Sequence, residues 1–261
     1  MDRWDFVHAA PDPRLRGYVL HYCAYDERTV TFTRRRELPG DRVVAIVNLG
    51  APIRVNGERF AEGFFGGLHD TYAVSETNGS QHGVQIDFSP VGAHLLLRVP
   101  MHELSQQVVA LDALLGARLH EQLGNAPLLR RFELLDELFL SRLDDALSPV
   151  PSVTRALARL RTSAGRVGVN ELAGELGCSR RHLTTHFREQ VGVAPKLFAR
   201  ILRFQHAITL MDAEPSWAAI AQAAGYYDQA HLVRDFQQFA GASPTEFARR
   251  RLPDGGGVVD R

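Results

Sequence analysis

Two sets of side chains in this 261-residue chain have the types and spacing to hydrogen-bond the edges of DNA bases. The first is Arg180, Arg181, Thr184, Thr185 and Arg188; the second is Gln229, Ala230, His231, Arg234 and Gln237. A guanidinium fork pairs with guanine and a carboxamide with adenine, each in bidentate geometry, and short apolar groups such as Ala230 and Val233 meet a thymine methyl. Each set falls on one side of a helical repeat whose other side is apolar. Leu183 with Phe187, and Leu232 with Phe236, are i, i+4 pairs that would face a core. An arginine here suits a phosphate as well as a base. His182, His186 and His231 suit packing, capping or phosphate contact rather than catalysis.

These sets are positioned by a pattern that occurs twice. One copy reads Ala173, Gly177, Ser179, Leu183, Phe187, Gly192, Pro195, Phe198. The other reads Ala221, Gly225, Asp228, Leu232, Phe236, Gly241, Pro244, Phe247. The offset is 48 residues up to the turn glycine and 49 after it, so one indel lies in the turn. Gly177 and Gly225 suit a turn position of positive φ. Ser179 and Asp228 can accept the free N–H groups that open the next helix. Helix, glycine turn and capped second helix make a helix-turn-helix, whose second helix offers its N-terminal residues to the major groove. A solenoid needs at least three copies, and the sequence has two.

Residues 152–251, with both motifs, resemble the DNA-binding domain of AraC/XylS-type transcription regulators. The most specific stretch runs from Gly225 through Phe236 (Gly-Tyr-Tyr-Asp-Gln-Ala-His-Leu-Val-Arg-Asp-Phe), followed by Gly241-Ala242-Ser243-Pro244. The resemblance implies two helix-turn-helix units joined by a long helix, here about residues 195–211. It implies base contacts at Arg181, Thr184 and Thr185, and at Gln229, Ala230 and Arg234. It further implies an N-terminal effector domain, a cupin-like β-barrel followed by helices that often dimerise. Arg36-Glu37-Leu38-Pro39 and the stretch from Phe88 to Ala93 carry that weaker part of the likeness.

Charge is divided between the halves. Residues 152–251 hold 14 Arg/Lys against 8 Asp/Glu, a balance of +6, while residues 1–151 hold 15 against 20, a balance of −5. The basic half is the half with the repeated motif, as phosphate binding requires. Lys196 is the sole lysine, so the positive charge is almost all guanidinium. Cys23 and Cys178 form neither a metal spacing nor a disulfide framework. His69, His82, His94 and His102 show no His-x-His followed by Glu, so no metal or other cofactor is expected. Nucleophile elbow, phosphate loop and metal spacing are all missing, and a DNA-repair methyltransferase would need reactive or zinc-binding cysteines. The expectation is a non-enzymatic regulator. With no signal peptide and no apolar run of transmembrane length, a cytoplasmic bacterial protein without membrane contact is expected.

The expected fold is α+β. Residues 1–148 form an effector or dimerisation domain, β-rich over 1–89 and helical over 90–148. Strands are expected over Val43–Val47, over Pro52–Val55 and Glu58–Phe60 around the hairpin dipeptide Asn56-Gly57, and at Gly63–Phe65, Thr71–Ser75 and Gly83–Phe88, in an antiparallel barrel or sandwich. Asp112 would cap a helix through Leu123. A longer helix after Pro127 carries the stripe Leu128, Phe132, Leu135, Phe139, Leu143, which either packs on its own domain or is shared, with Leu128, Phe132 and Leu135 inward and Phe139 and Leu143 offered to a second protomer. Residues 149–151 form a linker, 152–251 an all-α domain with two helix-turn-helix motifs on a linker helix, and 252–261 a disordered tail. The expected partners are double-stranded DNA, an unidentified small-molecule effector and, if the protein is not a monomer, a second copy of the chain.

Overall fold

The computed structural model describes residues 3–28, 33–78, 80–144, 148–214, 216–252 and 257–259. Ten strands belong to the N-terminal domain: β1 (Arg3–Ala9), β2 (Val19–Arg28), β3 (Thr33–Glu37), β4 (Val43–Asn48), β5 (Ile53–Val55), β6 (Glu58–Phe60), β7 (Gly63–Gly66), β8 (Ala73–Thr77), β9 (Ser80–Phe88) and β10 (Val108–Ala110). Its helices are α1 (Pro90–Leu97), α2 (Met101–Leu104), α3 (Leu111–Leu115), α4 (Arg118–Asn125) and α5 (Leu128–Asp144). The C-terminal domain is α6 (Pro151–Thr162), α7 (Val169–Glu175), α8 (Arg180–Val191), α9 (Pro195–Thr209), α10 (Trp217–Ala224), α11 (Gln229–Ala240) and α12 (Pro244–Arg250), followed by a last strand, β11 (Gly257–Val259).

The strands form two antiparallel sheets, β1-β2-β9-β4-β7-β10 and β11-β3-β8-β5-β6. They do not close, so of the expected barrel or sandwich it is the open, two-sheet arrangement that is present. The Asn56-Gly57 hairpin is present, with both residues at positive φ (51° and 86°) and Ile53 opposite Phe60. Strands β1 to β3 had no counterpart in the sequence reading. β2 alternates irregularly and β3 reads Thr-Arg-Arg-Arg-Glu, so neither carries the apolar period of a half-buried strand. β8 starts at Ala73 rather than Thr71, and β9 at Ser80 rather than Gly83.

One face of the first sheet packs Tyr22, Val43, Ala45, Val47, Phe65, Val84, Ile86 and Phe88 against the N-terminal helices. The stripe of α5 lies in this core from Phe132 onward, while Leu128, expected inward, is exposed. Phe132 and Leu135 are buried, and Phe139 is 0% exposed, edge-on to Phe88 at 5.2 Å. The expectation that Phe139 and Leu143 face a second protomer is therefore overturned, since Leu143 also packs on this core. The exposed apolar residues of α5 are Leu128 and Leu129, at its start. The expected helix 112–123 is two helices, broken at Gly116 (φ 84°), and Asp112 sits in the first turn of α3 rather than capping it. A smaller core of Ile53, Val55 and Phe60, joined by Ile46 and Phe64, lies between the sheets.

The chain end departs from the expected disordered tail. Gly257–Val259 form β11 on the edge of the second sheet, with Val258 opposite Arg36 and 0% exposed. The rest of the expected tail beyond Leu252 lies outside the described residues. Among the described residues no helix is long and apolar enough to cross a membrane.

Candidate nucleic-acid interface

Helices α7 and α8 form the first helix-turn-helix unit, α10 and α11 the second, and α9 joins them. The sequence builds each unit by the same local steps. Gly177 (φ 66°) and Gly225 (φ 83°) take the left-handed conformation that turns the chain. Ser179 Oγ then accepts the His182 N–H at 3.1 Å, and Asp228 Oδ1 accepts the His231 N–H at 2.7 Å. Leu183, Phe187, Leu232 and Phe236 are all 0% exposed, so both recognition helices face inward as their i, i+4 pairs require.

That orientation turns the two polar sets outward. Arg180, Arg181, Thr185, Arg188, Gln229, Ala230, Arg234 and Gln237 are exposed, and Thr184 and His231 are half-buried. Arg180, Arg181, Thr184 and Thr185 line one shallow concavity on α8. Gln229 borders a second, open one with Ser216, Trp217 and Arg251. Arg180, Arg181, Arg188 and Arg234 make no ion pair among the described residues. Behind them, Arg159 pairs with Glu175, Arg161 with Asp41 and Arg200 with Asp235. Free guanidiniums on the two recognition helices, and paired ones behind them, leave the net positive charge where an anionic duplex would lie.

Trp217 packs on Phe236 at 6.1 Å, and its indole N–H donates to Thr245 Oγ1 at 3.1 Å. Cys178 packs on the first unit's core. The His231 ring stands edge-on to Tyr226 at 5.2 Å. The Tyr226 hydroxyl is pushed well above the ordinary tyrosine value, chiefly by burial and then by the Asp235 charge. Asp235 itself is 1% exposed and receives Arg200 Nη2 at 2.6 Å, which ties α11 to α9. Among the described residues no three His, Cys, Asp or Glu side chains group as a metal site.

The contacts that hold the two domains together were not legible beforehand. Arg161 Nε donates to Asp41 Oδ2 at 2.9 Å. Arg36 Nη1 donates to the Gly241 carbonyl at 2.9 Å, Thr71 Oγ1 to the Gln238 carbonyl at 3.0 Å, and Gln238 Nε2 to the Asp70 carbonyl at 2.9 Å. The glycines that end the two recognition helices, Gly192 (φ 97°) and Gly241 (φ 63°), occupy matching places in the repeat, and both rest on the N-terminal domain. A Cβ on Gly192 would lie 2.9 Å from the Met101 carbonyl oxygen, and one on Gly241 would strike the Tyr72 ring. No spacing rule ties Arg36 to Gly241 across 205 positions of chain.

Two capped recognition helices on one scaffold, with unpaired arginines facing out, define a double helix-turn-helix DNA-binding protein. Residues 172–250 match a family model described as a helix-turn-helix domain, and residues 7–110 match one described as a Domain of unknown function (DUF6597). The chain is a DNA-binding transcription regulator whose C-terminal region is an AraC-type helix-turn-helix domain.

Comparison with curated proteins finds no match. Among solved structures the chain is similar to ToxT from Vibrio cholerae (12% identity, 94% of this chain and 97% of that one, TM-score 0.48). It is also similar to the C-terminal domain of AraT, a response regulator from Geobacillus stearothermophilus (23% identity, 40% and 88%, TM-score 0.37). A third likeness is to the DNA-binding domain of the global transcriptional factor AdpA in complex with a target DNA (25% identity, 39% and 97%, TM-score 0.35). The assignment rests on the helix-turn-helix family model and not on these neighbours.

Proposed function

We propose that this regulator reads an asymmetric operator through both recognition helices, and that its N-terminal domain senses a small-molecule effector and sets the geometry of the two readers. Arg181, Thr184 and Thr185 on α8, and Gln229, Ala230 and Arg234 on α11, read base edges. Arg180, Arg188, His231 and Gln237 hold the flanking backbone. One observation carries the regulatory part: both recognition helices rest on the N-terminal domain at their C-terminal glycines, while their N-terminal residues stand open. The domain therefore leaves the reading faces uncovered. It can alter affinity by favouring one relative placement of the units over another, in proportion to the effector's preference for that placement.

The competing reading is a constitutive DNA-binding protein whose N-terminal domain only oligomerises. Arg36→Ala and Gln238→Ala separate the two, because neither residue belongs to either reading set. Operator affinity is measured for each variant by fluorescence anisotropy on the tightest duplex recovered from a random pool. Coupling through these contacts changes that affinity several-fold, in line with a coupling free energy of about 1 kcal/mol or more. Unchanged affinity in both variants leaves the constitutive reading standing.

A further inference from the structure

The two units differ in length by one residue, and the structure shows which residue is extra. Gly177 and Gly225 match. The next residue packs inward in both copies: Cys178 on the first core, and Tyr226, 6% exposed, in the second. Ser179 and Asp228 match as caps. Tyr227 lies between Tyr226 and Asp228 and has no counterpart in the first unit. To accommodate it, Asp228 takes a fully extended backbone (φ −154°, ψ 172°) where Ser179 has φ −72°, ψ 149°.

Tyr227 is 94% exposed, more than any other large hydrophobic side chain among the described residues; the next is Leu129 at 72%. A single exposed aromatic needs no explanation by itself. Its place does. It directly precedes the cap of α11, at the end of the recognition helix that approaches the duplex in a helix-turn-helix. In such docking a residue ahead of the helix cap lies beside the strand that borders the groove, while the helix's outward residues, here Gln229 and Arg234, meet the base edges. A phenol at that point is a neutral donor of useful reach. An arginine there would be drawn to the Asp228 carboxylate one residue away, whereas the phenol stays available to an outside acceptor.

We propose that Tyr227 is a backbone-contact residue of the second unit, its hydroxyl donating to a DNA phosphate at the edge of the groove that α11 enters. The inference rests on the reading that α11 enters the major groove. Such a contact fixes register without reading sequence, and it gives the second unit an anchor that the first lacks.

The test uses the full chain. Wild type, Tyr227→Phe and Arg234→Ala are titrated against the tightest duplex from a random pool and against a random-sequence duplex, over a range of salt. Tyr227→Phe is expected to weaken both interactions by the same factor, on the order of ten-fold, as a lost hydrogen bond to a charged acceptor would. Its log–log salt slope stays that of wild type, because a tyrosine releases no counterion. Its melting temperature is unchanged, because the ring is exposed. Unaltered affinity for both duplexes overturns the contact. A loss confined to the selected duplex replaces a phosphate contact with base reading and overturns it too, as does a lowered melting temperature that accounts for the loss. Failure of the underlying reading looks different: wild type then binds no duplex, or Arg234→Ala binds as wild type does.

Discussion

The first helix-turn-helix unit shares its core with the N-terminal domain: Leu183, Phe187 and Val191 pack in one cluster with Leu68, Val91 and Leu95. The second unit closes a core of its own. Phe204 meets Phe236 at 5.0 Å and Phe239 at 5.2 Å, and Phe236 meets Phe247 at 5.5 Å. From outside the domain's helices it takes Val258 of the tail strand and the partly buried Leu38. Its other ties to the N-terminal domain include the hydrogen bonds of Arg36, Thr71 and Gln238. Two copies of one sequence pattern therefore stand on different supports, one on shared apolar packing and one on polar contacts around an aromatic core. Apolar burial is non-directional and tolerates little separation, whereas hydrogen bonds can exchange with water at modest net cost. On that basis the first unit stays with the N-terminal domain, and the second is the one free to change its placement.

Removing the centre of the aromatic core is the strongest challenge to this contrast. Phe236→Ala should cost about 3–5 kcal/mol, concentrated in α10 to α12. Hydrogen exchange resolved along the chain should show lost protection there and retained protection in α7 and α8. Equal loss in both units would mean that they form one cooperative block and that the contrast in support has no energetic meaning. A smaller effect tests the shared core. Leu95, on α1 and 5% exposed, should destabilise the first unit when changed to Ala by an amount near the low end of the about 2–5 kcal/mol for such truncations. The second unit should keep its protection, and loss there instead would reverse the assignment of supports.

The smallest effect is a pH dependence. Burial raises the Tyr226 hydroxyl above its unfolded value of about 10. A group raised on folding contributes its stability fully below the unfolded value and loses it as pH rises past that value. The second unit should thus weaken above about pH 10, while the first, with Cys178 in the matching place, lacks this tyrosine. Alkaline unfolding followed by tryptophan fluorescence should shift to higher pH in Tyr226→Phe. An unmoved midpoint would show that Tyr226 is not the group that titrates.

What was legible in the sequence is what short-range physics decides. A left-handed glycine, a capping hydroxyl or carboxylate, and an i, i+4 apolar pair act within one or two helical turns. That is why both units, their inward faces and their ten outward residues could be read before any fold was known. The indel in the turn was equally visible, but the residue it adds was not, because only the packing of Tyr226 and Cys178 shows that Tyr227 is the extra one.

The remainder depended on pairings between distant segments. β3 contains no apolar residue and is a strand because β8 and β11 flank it. The glycine-rich tail contributes β11 because the edge of that sheet accepts it and buries Val258. The α5 stripe could have faced a partner or its own domain, and the core of the first sheet claims it from Phe132 to Leu143 through Phe88 and its neighbours. The sequence by itself determined two helix-turn-helix units and the outward faces of their second helices. Only the tertiary structure decided how those units are held, because a hydrophobic face specifies that it must be covered and leaves open by what.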